Sequence, residues 1–155
     1  MRRAERIIFA FRALGETRQP AALTQGADTI ASTGEPQAHA NETAASLRHG
    51  LGKIIDDKGL GWAIYGEFSS FRILIDHGVP GIKAQEFDPL SYDINKLKSP
   101  PRPDLARNLR CGMLLNGVDL PGTPITMAAH SADDVQKTLA AFETTLDWMK
   151  ADGLI

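Results

Sequence analysis

Residues 109–149 read LRCGMLLNGVDLPGTPITMAAHSADDVQKTLAAFETTLDWM, and this stretch decides the fold because it passes from helix to turn to extended chain to capped helix. Residues 107–115 keep one helical face apolar, and Asn116-Gly117 supplies the left-handed residue that stops a helix. A short extended piece at 118–120 follows. Pro121, Gly122 and Pro124 then bend the chain into a second extended run, 125–129, small and apolar enough to be covered on both faces. Ser131 fits the N-cap of the next helix, since its hydroxyl can accept from free first-turn amides while Asp133 and Asp134 sit at the positive end of the helix dipole. Val135, Leu139, Phe142, Leu146 and Met149 recur at spacings of four, three, four and three, a docking stripe that Gly153 ends.

Upstream of this stretch, residues 35–58 place Ala40, Ala44, Leu47, Leu51, Ile54 and Ile55 on one helical face, with Gly59 closing the helix. Residues 62–68 and 71–76 are rich in aromatic and β-branched side chains and short enough for strands, with Gly66 as a bulge or close-contact position and Ser69-Ser70 between them. Residues 77–103 carry five prolines and form the longest irregular region, with one helical turn expected at 92–98. The expected fold class is α+β. It has a small antiparallel sheet of three to four strands, from 62–68, 71–76, 125–129 and an edge piece at 118–120, with long helices packed mainly on one face. At the N-terminus, Ala4, Ile7, Ile8, Phe11 and Leu14 share a face ringed by arginines, an amphipathic helix ended by Gly15. A further Ala-rich helical pattern covers 20–31.

The run Met113-Leu-Leu-Asn-Gly-Val-Asp-Leu, a Gly-containing loop, and Ala128-Ala-His-Ser before a long amphipathic helix resemble the C-terminus of class III pyridoxal-phosphate aminotransferases. Asn41-Glu-Thr-Ala-Ala-Ser-Leu-Arg-His-Gly-Leu and Tyr65-Gly-Glu-Phe-Ser-Ser-Phe resemble the same family in the same order, nearest the glutamate-1-semialdehyde aminomutase group. The likeness runs from about residue 25 to the end. It implies two parts, an N-terminal helix at 1–19 outside the resemblance and a small-domain-like region at 20–155, like the C-terminal domain of fold-type I enzymes. In that family the Schiff-base lysine and the aspartate motif precede the region matched, so the resemblance implies a small domain without its cofactor-binding large domain. Such a chain is inactive alone and takes up pyridoxal phosphate only when a large domain completes it. The small domain of such enzymes helps fix the substrate, which makes Arg72, Gly122 and Thr123 the substrate-binding candidates. The loop at 121–124 is shorter than in the aminomutases proper and lacks their acidic residue.

The residues themselves limit the chemistry. The seven lysines fall on polar helix faces or in the 77–103 region without a phosphate-binding glycine pattern, which leaves no candidate catalytic or cofactor-binding residue. Arg72 points away from Phe71 and Ile73, and either binds a carboxylate or pairs with Asp76. His130 is expected to bond backbone groups at the strand–helix junction. The remaining histidines and Cys111 lack metal-ligand spacing, and Cys111 is expected to be a buried small hydrophobe. A formal charge of −2 without basic clusters gives no footprint for nucleic acid, and no apolar run reaches the roughly 20 residues that cross a bilayer. One cysteine excludes an internal disulfide, and a cytoplasmic location is expected. The partners to expect are a separate large-domain chain or a second copy meeting an exposed apolar surface.

Overall fold

The computed structural model describes residues 32–98 and 102–155. The helices expected over 1–14 and 20–31 lie outside the described residues, as does the division at residue 19. From Glu35 onward the chain belongs to one compact unit.

Three long helices form: α1 (Glu35–Asp57) and α4 (Ala132–Ala151) where the apolar periodicity places them, and α3 (Pro103–Leu115), which starts four residues before the expected 107 because Pro103 suits the first turn of a helix. A short α2 (Ile94–Lys98) follows a single 3-10 turn at Pro89–Ser91, matching the helical turn expected in the irregular region. Helix ends are set by local chemistry. At the C-terminus of α3, Gly117 adopts φ 75°, its amide donates to the Leu114 carbonyl and the Val118 amide to the Met113 carbonyl, a Schellman motif. The same paired bonds close α1 at Gly59 and Leu60, and α4 at Gly153 and Leu154. At the other end of α4, the Ser131 hydroxyl accepts from the Asp134 amide while the Asp134 carboxylate accepts from the Ser131 amide at 2.8 Å. The Ser131 amide, and next its hydroxyl, donate to the Asp134 carboxylate and hold it below the usual aspartate range.

The architecture is α+β, but the sheet is smaller than expected. Among the described residues, β1 (Ala63–Tyr65) and β2 (Arg72–Leu74) form a two-stranded antiparallel sheet in the register Ala63 to Leu74, Ile64 to Ile73 and Tyr65 to Arg72. The run at 125–129 contributes one isolated antiparallel bridge, Ile125 to Ser70. Two backbone bonds flank it, from the Phe71 amide to the Pro124 carbonyl and from the Thr126 amide to the Ser69 carbonyl. The ladder stops there because both chains turn away: the Ser70 amide donates to the Glu67 carbonyl, and the His130 amide donates back to the Met127 carbonyl. Nor is this run covered on both faces: Thr126 is buried, whereas Ile125, Met127, Ala128 and Ala129 are exposed. The extended piece at 118–120 is not an edge strand either, since the Schellman closure of α3 consumes the Val118 amide.

Helix α4 packs against both α1 and α3, and α1 also packs on β1. The main core joins Leu51 and Ile55 of α1, Trp62, Phe71, Met113 of α3, and Phe142 and Leu146 of α4. The apolar stripe of α4 is buried as its spacing requires, with Leu139 half-buried. Helix α3 lies tight against α4 at Gly112, where an added Cβ would stand 2.3 Å from Thr145 Cγ2. Gly112→Ala is therefore expected to cost about 1–3 kcal/mol by overpacking. Thr145→Ser, which deletes the obstructing methyl, is expected to restore part of that loss in the double variant. Urea unfolding of the single and double variants measures both effects. Cys111 is exposed, not buried. It follows the buried Leu109 by two positions, which carries it round the helix off the face made by Leu105, Leu109, Gly112 and Met113.

Candidate functional site

Strand β2 and the loop at 121–124 bring two of the three expected substrate-binding residues together. Arg72 Nε donates to Thr123 Oγ1 at 3.1 Å, across 51 residues of sequence. Strand alternation turns Arg72 outward while Phe71 is buried, as its place in the strand requires. The alternative pairing with Asp76 does not form, because Asp76 faces Arg102 at 3.8 Å. Among the described residues Arg72 has no ion pair, so with Nε held by Thr123 the two terminal nitrogens remain available for a planar anion.

Gly122, the third candidate, lines a shallow cleft of about 210 Å³ between β2, α3 and this loop. The cleft walls are mainly apolar, from Ile73, Ile75, Leu109, Leu120 and Pro124, with Arg110 as the charged member. Arg110 is engaged by Asp119 at 3.1 Å. Neither Arg72 nor Thr123 is in the cleft wall: strand alternation sets Arg72 on the opposite side of β2 from Ile73 and Ile75, so the cation and the apolar cleft are joined only through the loop at 121–124. Beyond the loop the chain presents Ile125 and Met127, 64% and 54% exposed, next to the turn that carries Phe68, 71% exposed. That turn is held by a residue the sequence reading missed. Arg48 of α1 donates from Nη1 to the Phe68 carbonyl at 2.9 Å and to the Ser70 carbonyl at 3.4 Å. A helix residue 20 positions upstream carries no local signal for such a bond.

Lys58 is half-buried but bound to Asp147, Lys53 is bound to Asp57, and Lys83, Lys96, Lys98, Lys137 and Lys150 are exposed. Among the described residues, no lysine lines the cleft at Gly122 or the second one, lined by Arg48, Tyr65, Gln85 and Phe87.

His130 bonds backbone at the junction before α4, as expected: its Nδ1 accepts from Met127, and its carbonyl accepts from His39 Nε2 at 2.8 Å. The bond from α1 was not legible, because His39 lies 91 residues away. His77 is the buried histidine, 3% exposed, with Nδ1 accepting from the Val79 amide at 3.0 Å. Burial pushes its pKa below the ordinary histidine value, only partly offset by Asp76 and the Trp62 backbone. Among the described residues, no group of three or more His, Cys, Asp or Glu could hold a metal ion, and no helix is long and apolar enough to cross a membrane. No protein-family model matches the sequence, and no curated protein matches it.

Proposed function

We propose that this chain is the small C-terminal domain of a class III pyridoxal-phosphate aminotransferase-like protein of the glutamate-1-semialdehyde aminomutase group, and that it does not transaminate alone. In this reading its fold is that of the C-terminal domain of fold-type I enzymes, and it acts in the cytoplasm on a large-domain partner chain that carries lysine and cofactor. Its own contribution is to cover one side of the reaction site and to hold a substrate carboxylate on Arg72, which Thr123 orients. The observation that carries this reading is the Arg72–Thr123 bond beside the uncovered side chains of Phe68, Ile125 and Met127. A cation fixed by one hydrogen bond at an apolar, solvent-facing surface is what a half-site awaiting its cover requires.

The test has two readouts. The purified chain, treated with pyridoxal phosphate and borohydride, is expected to show no stoichiometric label on any single lysine; one fully labelled lysine overturns the proposal. Combined with a class III large domain, the chain is expected to restore transamination. Arg72→Ala is then expected to raise KM for the carboxylate substrate by about 10-fold or more, the weight of a lost charge-assisted hydrogen bond of roughly 1.5–3 kcal/mol. An unchanged KM removes Arg72 from the site.

The same exposed strip supports a second reading, a non-catalytic module that pairs with another copy of itself. Solution mass discriminates. A dimer that dissociates in Ile125→Ser with Met127→Ser, without restored activity from any large domain, favours the second reading.

A further inference from the structure

A second, smaller apolar cluster lies apart from the main core. Ala63, Leu74 and Phe87 are its buried members, with Tyr65, Ile82, Tyr92 and Leu97 packed against them. Phe87, Ile82, Tyr92 and Leu97 all come from the segment 77–98, which thus covers the outer side of the β1–β2 hairpin. Small satellite clusters of this kind open at lower free energy than the core they adjoin.

His77 stands where that cover begins. Its amide donates to the Gly61 carbonyl at 3.0 Å, its carbonyl accepts from the Tyr92 hydroxyl at 2.7 Å, and its ring lies 5.6 Å from that of Phe87. Nδ1 accepts from the Val79 amide, so the neutral ring carries its proton on Nε2. Nε2 is buried with no hydrogen-bond partner. The ring therefore fits the site in one protonation state. A second proton would turn Nδ1 into a donor facing the Val79 amide, leaving two donors opposed and the charge enclosed by Phe87.

Few charges offset this. Asp76 precedes His77 but is drawn to Arg102 at 3.8 Å, the residue before β1 presents only the Trp62 backbone, and the 89–92 turn presents the neutral Tyr92 hydroxyl, with Lys96 5.9 Å from the Tyr92 ring. Elsewhere the segment is pinned by groups of a different kind: the Ala84 amide donates to Asp56 and the Ala84 carbonyl accepts from Ile64.

We propose that His77 is a proton-operated latch: protonation breaks its bond to Val79 and releases the apolar cover formed by Phe87, Tyr92 and Leu97 from the hairpin, while the main core stays folded. The sign follows from the depressed pKa in the closed form. The open form takes up the proton at the ordinary value of 6.5, so the latch is fully effective above that pH and weakens as pH falls below it. The proposal does not depend on the aminotransferase reading.

Amide hydrogen exchange on the whole chain, corrected for intrinsic rates, tests it. Between pH 7.5 and 5.5, protection of the Val79 and Leu97 amides is expected to fall, by up to about tenfold, while that of Leu51 in the main core holds. In His77→Asn, whose side-chain oxygen can accept from Val79 without titrating, the fall is expected to vanish. This variant also separates His77 from His130, which accepts from Met127 in a similar way. An equal fall in His77→Asn, a parallel fall at Leu51, or no fall in the wild type overturns the latch. A ring titration of His77 by NMR provides a measurement independent of any variant, and a value at or above 6.5 overturns it as well.

Discussion

Phe142→Ala is expected to destabilise the fold by about 3–5 kcal/mol, the cost of truncating a fully buried aromatic whose cavity the surroundings fill only in part. Phe142 is 0% exposed and sits midway along α4, the helix that α1 and α3 share. Its loss thus acts on both helix pairs at once. Set against the roughly 5–15 kcal/mol that small domains possess, the variant should be close to the unfolding threshold. Denaturant titration followed through Trp62, itself buried in the same cluster, reads the shift in midpoint. A loss under about 1 kcal/mol would mean that α4 does not organise the core.

Gly66→Ala is expected to cost about 3 kcal/mol, from backbone strain and crowding of about 1–3 kcal/mol each. Gly66 has φ 145°, and an added Cβ would stand 2.4 Å from the Ser70 carbonyl oxygen and 2.6 Å from Phe71 Cα. Both obstructing atoms are backbone, so no side chain can rotate away. The movement would be passed to the turn at Ser69–Ser70 and thence to its bridge with Ile125, beyond which the chain places Thr123 against Arg72. The variant should therefore lose the Arg72–Thr123 geometry as well as stability. Chemical shifts of the Arg72 side chain and the unfolding midpoint are expected to change together, whereas Gly112→Ala should change only the midpoint.

These two positions show how differently structure is written in this chain. Phe142 was legible as core from spacing alone, since apolar residues every three or four positions can only make one helix face. Gly66 was legible as a close-contact or bulge position, because an aromatic and β-branched run tolerates glycine where another backbone approaches. The candidate site was read one residue at a time. Arg72, Gly122 and Thr123 could be picked out by family likeness and strand position, but their meeting could not, because 51 residues separate Arg72 from Thr123 and their bond depends on where the loop at 121–124 is carried.

By itself, the sequence determined how the long helices end and where α4 begins: glycines at 59, 117 and 153 complete three Schellman motifs, and Ser131 with Asp134 completes the capping box. Each of those motifs spans fewer than seven residues, so short-range hydrogen bonding decides it wherever the helix lies. Tertiary structure decided the rest. The run at 125–129 has strand composition but forms one bridge, since a ladder needs two extended partners in register, and the turns at 67–70 and 127–130 end that extension in both chains. Arg72 chose Thr123 over the nearby Asp76, and Arg48 fastened a turn 20 residues away, because the hydrogen bonds of long side chains go to whatever packing brings within about 3 Å.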